Sequence, residues 1–227
     1  EFNSSIFGNE DGGSFPVDMD LTVNQSGAFN ITDAIYDAWR FFNQSGGIAG
    51  DGEDLDETAK MMWELGYNEG KGTYYMDYGA FDEIVIATAP DDDTWDESPI
   101  IHEYGHFLED KYSCDESDGG PHNFTDILGD PEFSWSEGYS DYFQGAVRSG
   151  RGYLQPAFYI DINVSPTPPT MTNDIAISLE TWHTQTFTTT SLVTPNNELS
   201  VAALFWDLLD GSNDDQDRVS HGHAMIQ

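Results

Sequence analysis

Two histidines and a glutamate lie at a spacing suited to binding a metal ion. Residues 100–108 contain His102, Glu103 and His106, the pattern His-Glu-x-x-His. On a helix, residues four apart share a face, so both imidazoles can reach one tetrahedral ion while Glu103 lies beside them. Zinc accepts such ligands and lowers the pKa of a bound water to about 7. The spacing therefore predicts a zinc site with Glu103 beside it.

A third protein ligand is expected in a second helix. Glu137 and Asp141 are again four residues apart, in a segment that reads as a helix starting after Pro131. A catalytic zinc site has three protein ligands and one position left for water, so Glu137 is the candidate third ligand. Asp141 is the candidate acceptor for the outer N–H of a liganding histidine. The alternative is a solvated acidic pair, which is common in a protein this acidic.

These segments resemble a known class of enzymes. The stretches are residues 102–106 (HEYGH), 119–122 (GGPH), 136–139 (SEGY) and 201–207 (VAALFWD). They resemble zinc metallopeptidases of the gluzincin (thermolysin-like) clan, and within it a group of secreted bacterial and archaeal peptidases, over roughly residues 28–225. The resemblance implies peptide-bond hydrolysis, His102, His106 and Glu137 as zinc ligands, and Glu103 as general base.

The residue that would stabilise the oxyanion is left open by the sequence. His122 is the first candidate, because it follows the motif within a Gly-Gly-Pro turn that can point back at the metal. His183, His221 and His223 are the alternatives. A separate acidic run at residues 210–217 offers oxygen ligands for Ca²⁺, although it lacks the glutamate at position 12 of an EF-hand loop. An acidic turn explains that run equally well.

Helices and a small sheet must position these residues. A helix is predicted from Thr32 or Asp33 to Gly46, the motif helix from a cap at Ser98, and a last helix over residues 199–209. Three β-like runs at residues 61–67, 73–78 and 83–89 predict a small, mainly antiparallel sheet over the motif helix, with 83–89 as an edge for an extended peptide. The expected fold class is α+β and zincin-like, with a mainly helical second half.

The expected domain organisation is an extended arm at residues 1–28 followed by one zincin-like domain at residues 29–227. Residues 165–194 are rich in Ser, Thr and Pro and read as a long loop. The chain starts at Glu1 without a methionine, which fits a segment of a longer precursor. Proteins of the resembling group are expected to continue past Gln227.

The charge balance excludes several partners. Among 227 residues, 42 are Asp or Glu and only 7 are Lys or Arg, which gives a formal net charge of −35. No basic surface is therefore available for nucleic acid or an anionic membrane. No apolar run approaches the roughly 20 residues that span a bilayer. Such dense negative charge predicts a protein that is stabilised by high salt or by bound divalent cations.

Asn-x-Ser/Thr sequons are more frequent than chance predicts, and they indicate N-linked glycans and an extracellular or cell-surface location. The candidate asparagines are Asn3, Asn24, Asn30, Asn43, Asn123 and Asn163. The sequons, the acidic composition and the N-terminal arm also support an alternative to the peptidase. In this alternative the chain is a non-catalytic surface, fibre or virion protein that has a zincin-like fold and assembles through its N-terminal arm. An intact His-Glu-x-x-His motif argues against it, because a scaffold does not need Glu103.

Overall fold

Four helices and two small sheets make up the part of the chain that the structure, a computed structural model, describes. That part comprises residues 23–44, 59–67, 72–79, 82–89, 91–114, 117, 119–166, 169–182 and 194–210. The helices are α1 (Val23–Gln44), α2 (Glu97–Tyr112), α3 (Pro131–Gly150) and α4 (Glu198–Leu209). The strands are β1 (Lys60–Trp63), β2 (Tyr74–Asp77), β3 (Asp82–Ile86), β4 (Phe158–Pro166) and β5 (Pro169–Ser178). The α+β class is confirmed.

The first sheet is mixed rather than mainly antiparallel. Its strand order is β1-β3-β2, with β1 parallel and β2 antiparallel to β3. The expectation that the third strand forms an edge was wrong, because β3 lies in the centre. Ile84 and Ile86 of β3 are fully buried, and the most apolar strand gains most from having neighbours on both sides.

The second half of the chain is less helical than expected. Strands β4 and β5 form a long antiparallel hairpin, with a register shift between Asp161 and Ile162. Residues 165–166 and 169–178 therefore lie in strands, although the Ser/Thr/Pro composition predicted a loop. Threonine is β-branched and favours strands, so a segment rich in threonine can form a strand even where its overall composition resembles that of a loop. Residues 183–193 of the expected loop lie outside the described residues.

Helix α1 begins at Val23, so the last six residues of the expected arm are helical. Ser26 and Gly27 are weak helix formers, so the helix was predicted to start only at Thr32 or Asp33. A tertiary contact near this end overrides propensity, since the Asn30 side chain donates a hydrogen bond to the Thr94 carbonyl. Residues 1–22 lie outside the described part of the chain.

The core lies where α1, α2, α3 and α4 pack together beside the first sheet. Phe107 of α2 and Tyr142 and Phe143 of α3 are fully buried within it. The N-cap of α2 is Asp96 rather than Ser98, whose hydroxyl instead accepts a hydrogen bond from the Ile160 N–H of β4. Within the described ranges, no helix has the length and apolar character needed to cross a membrane.

Candidate metal centre

Helix α2 places His102 and His106 one turn apart with their rings facing the same point. Their Nε2 atoms lie 3.1 Å from each other. Helix α3 adds Glu137, whose Oε2 atom lies 3.1 Å from each of the two Nε2 atoms. An ion held at about 2.0–2.1 Å in a tetrahedral site has ligands about 3.3–3.4 Å apart, close to the observed triangle. These three residues can therefore hold a metal ion.

Contacts behind the two imidazoles orient them towards this point. The Nδ1 atom of His102 lies 2.9 Å from Oδ1 of Asp141, which is fully buried. The Nδ1 atom of His106 lies 3.1 Å from the Ser136 hydroxyl, which in turn donates to Oε2 of Glu109 at 2.9 Å. Both Nδ1 atoms are thus placed as donors, which leaves the Nε2 lone pairs for a cation.

A close approach of α2 and α3 makes this geometry possible. Gly105 lies between the two histidines and against Ser140 of α3. A Cβ atom at position 105 would lie 2.8 Å from the Ser140 hydroxyl and 3.1 Å from its Cα. A larger residue would push the helices apart and carry Glu137 away from the imidazoles.

The three groups of the centre shift one another's pKa strongly when no ion is bound. Burial lowers the pKa of His102, but its hydrogen bonds with Asp141 and Glu137 outweigh this effect and raise it to about 10. Burial also lowers the pKa of His106, and the Glu137 charge raises it well above its usual value. Burial raises the pKa of Glu137, whereas the two imidazoles hold it well below the ordinary value. Protons therefore occupy the centre when a metal does not.

Glu103 lies beside the centre and also contacts the first sheet. Its Oε2 atom accepts a hydrogen bond of 2.8 Å from the Tyr75 N–H of β2. Burial raises the pKa of the Glu103 carboxyl, although the His102 and His106 charges lower it in part. One carboxylate oxygen is thus anchored to the backbone, and the other is left to exchange a proton.

His122 lies near the centre and contacts a glutamate that sequence reasoning missed. Its Nε2 atom lies 2.7 Å from Oε2 of Glu198 in α4 and 3.5 Å from Oε2 of Glu137. Burial lowers the pKa of His122, but the contact with Glu198 raises it to about 9. The oxyanion role of His122 stays a prediction, and so does that of the alternatives His183, His221 and His223, which lie outside the described residues.

Glu109, Ser136 and Glu198 are the site residues that the sequence did not reveal. Ser136 directly precedes Glu137, and Glu109 follows His106 by one helical turn, so both spacings were visible. Glu198 had no comparable signal, because it approaches the site only through the packing of α4 against α3.

The predicted calcium site and several sequons are only partly described. Of the calcium run, residues 211–217 lie outside the described part, as does Asn3. Asn43 and Asn123 are exposed. Asn30 is half-buried and uses its amide nitrogen to bind the Thr94 carbonyl, a contact that a glycan there would have to accommodate. The side chains of Asn24 and Asn163 are not among those described, and glycosylation stays a prediction.

Comparison with known proteins supplies the family. A family model described as the mycolysin C-terminal domain matches residues 50–226, which include the whole metal centre. The chain belongs to the mycolysin C-terminal domain family. This membership, together with the buried His-His-Glu group, indicates a metallopeptidase-like domain with a zincin-like site.

Relatives of this mycolysin C-terminal domain add little about its activity. An uncharacterized protein of Archaeoglobus fulgidus is 33% identical over 136 residues, which is 54% of this chain and 33% of that protein. The match thus spans about a third of the length of the relative. No solved structure matches the chain significantly.

Proposed function

We propose that this chain is a zinc-dependent metallopeptidase domain of the gluzincin type that hydrolyses peptide bonds. The observation that carries the proposal is the triangle of His102, His106 and Glu137 ligand atoms, each 3.1 Å from the next. Its two nitrogens and one oxygen are ligands that zinc prefers. A bound zinc ion would acidify a coordinated water and polarise the substrate carbonyl.

Glu103 would act as the general base in this proposal. Its raised pKa makes it a better proton acceptor than an ordinary carboxylate. The Tyr75 N–H fixes Oε2, so Oε1 is the atom that takes the proton and later delivers it to the leaving amine. Asp141 and the Ser136–Glu109 pair hold the two imidazoles in place while this happens.

Strand β2 is the candidate binding edge for an extended peptide, in place of β3. It pairs with β3 on one side, and its Tyr75 N–H is directed to Glu103 on the other. A peptide adding to the outer edge of β2 would lie next to the general base.

The substitution Glu103→Gln tests this function without removing a metal ligand. The variant is expected to keep its zinc and its fold and to lose about 10²- to 10⁴-fold in turnover on a peptide library. Glu132→Gln, which neutralises an exposed glutamate of α3, is the matched control and should retain full turnover. Undiminished cleavage by Glu103→Gln would refute the assigned base.

A second candidate is a non-catalytic extracellular scaffold, favoured by the exposed sequons at Asn43 and Asn123 and by the net charge of −35. Such a protein would carry glycans and assemble with copies of itself through its N-terminal segment. The wild-type protein would then cleave no peptide under any salt or calcium condition. Cleavage that depends on Glu103 would exclude this alternative.

A further inference from the structure

A second group of metal-binding side chains adjoins the first. His122, Glu137 and Glu198 each offer one ligand atom, and these atoms lie within 4.8 Å of one another. His122 Nε2 is 2.7 Å from Glu198 Oε2 and 3.5 Å from Glu137 Oε2. Ligands of an ion held at about 2.0–2.1 Å lie about 3.3–3.4 Å apart, so the distance to Glu137 is close to this value and the distance to Glu198 would have to lengthen. Glu137 is common to both groups.

The orientation of the His122 ring favours a cation at this point. Its Nδ1 atom lies 2.9 Å from the Gly120 carbonyl oxygen, to which it donates. In the neutral ring this leaves a lone pair on Nε2, directed at two carboxylates. A backbone carbonyl behind a histidine is a common way of fixing a metal ligand. Without a metal, a proton on His122 supplies the positive charge among these groups, and a cation would displace that proton as it would at the first site.

The burial of the Glu198 carboxylate is evidence for a cation that does not depend on these distances. The Glu198 side chain is buried, with an exposure of only 2%. Neither of its carboxylate oxygens has a hydrogen-bond partner of good geometry, although Oε2 lies 2.7 Å from Nε2 of His122. A carboxylate buried in this way is costly unless a counter-charge or several donors satisfy it. A cation bound to Glu198 would meet that requirement.

The loop that carries His122 is tied firmly to the start of α4. The Asn197 side chain is fully buried and donates hydrogen bonds to the carbonyls of Phe124 and Asp126. Asn196 forms a further pair of hydrogen bonds with Leu128. His122 and Glu198 are therefore held together by the fold and not only by their mutual contact.

Four carboxylates lie within or beside the two groups, those of Glu103, Glu137, Asp141 and Glu198, and no lysine or arginine of the described chain forms an ion pair with them. Protonated histidines balance part of this negative charge when no metal is bound. With all four carboxylates ionised, one divalent ion and a protonated His122 leave one negative charge unbalanced, whereas two divalent ions balance all four.

We propose that His122, Glu137 and Glu198 bind a second divalent cation of the zinc class next to the first, with Glu137 shared between the two sites. This inference rests on the metal centre of the proposed function, because Glu137 belongs to both. One imidazole and two carboxylates suit zinc, with manganese as the nearest competitor. Paired ions about 3.5–4 Å apart are a known catalytic arrangement in hydrolases.

Zinc stoichiometry tests this proposal without reference to activity. After saturation with zinc and removal of free metal, elemental analysis of the wild-type protein should give two equivalents per chain. Glu198→Gln should lose one equivalent and retain the one that depends on His106. His106→Ala should lose the other, and Glu137→Gln should lose both. The control Glu132→Gln should keep two equivalents.

The outcomes separate this proposal from the proposed function. One equivalent in the wild type, lost in His106→Ala and kept in Glu198→Gln, would overturn the second site and leave the first intact. No bound zinc in the wild type would overturn both. Two equivalents that survive in Glu198→Gln would place the second ion elsewhere and also overturn it. If Glu198→Gln does not fold by circular dichroism, His122→Ala replaces it with the same expected loss of one equivalent.

Discussion

Replacement of Gly138 by alanine probes the packing that brings α4 to the metal centre. Gly138 follows Glu137 in α3 and lies against α4. A Cβ atom at this position would lie 2.5 Å from Cβ of Val201 and 2.7 Å from the carbonyl oxygen of Glu198. Neither neighbour is the flexible end of a side chain, so α4 as a whole would have to move.

The expected loss of stability can be worked out from two opposing effects. Alanine is favoured over glycine in a helix interior by about 0.8–1.0 kcal/mol. Overpacking a core costs about 1–3 kcal/mol, and the contacts at Gly138 place this substitution near the upper end. The net destabilisation should therefore be about 2 kcal/mol, or about 4–8 °C in Tm for a domain of this size.

Gly145→Ala in the same helix is the matched control. Its Cβ would lie 3.1 Å from Cζ3 of Trp206 and 3.2 Å from the Pro156 carbonyl, contacts that small shifts can relieve. Its overpacking cost should nearly cancel the same gain in propensity. Chemical denaturation of both zinc-loaded variants measures the difference. Equal stability of Gly138→Ala and Gly145→Ala would refute the close-approach argument.

Three further predictions concern the metal and the charge. Asp141→Asn should weaken zinc binding by about 10- to 100-fold, because the charged partner of His102 is lost, and competition with a chelator measures this. The pKa of His102 is raised to about 10 without metal, so zinc must displace protons below that pH. The apparent zinc affinity should therefore increase with pH between about 6 and 9, and a flat titration would contradict the pKa shift. With a net charge of −35, Tm should rise from about 0.1 to 1 M KCl as the Debye length falls from about 10 to 3 Å, and a falling Tm would refute charge repulsion as a destabilising force.

The spacing of residues along the sequence was enough to identify the three candidate ligands of the first metal site. His102 and His106 face the same way because they are four apart on one helix, and Glu137 and Asp141 share a face for the same reason. The helix that carries Glu137 was expected to start after Pro131, and the structure places its first residue at Pro131. Such features depend on neighbours within one or two turns, which the sequence displays directly.

Only the tertiary structure shows how these helices and strands pack against one another. Glu103 contacts the Tyr75 N–H across 28 residues of sequence, and Ser136 contacts Glu109 across 27. The central position of β3 and the approach of Glu198 likewise depend on packing between elements that are distant in sequence. Local spacing carries no information about the distance or angle at which two helices cross. The side chains at their interface, such as the glycine at position 138, fix that geometry and thereby which polar groups come together.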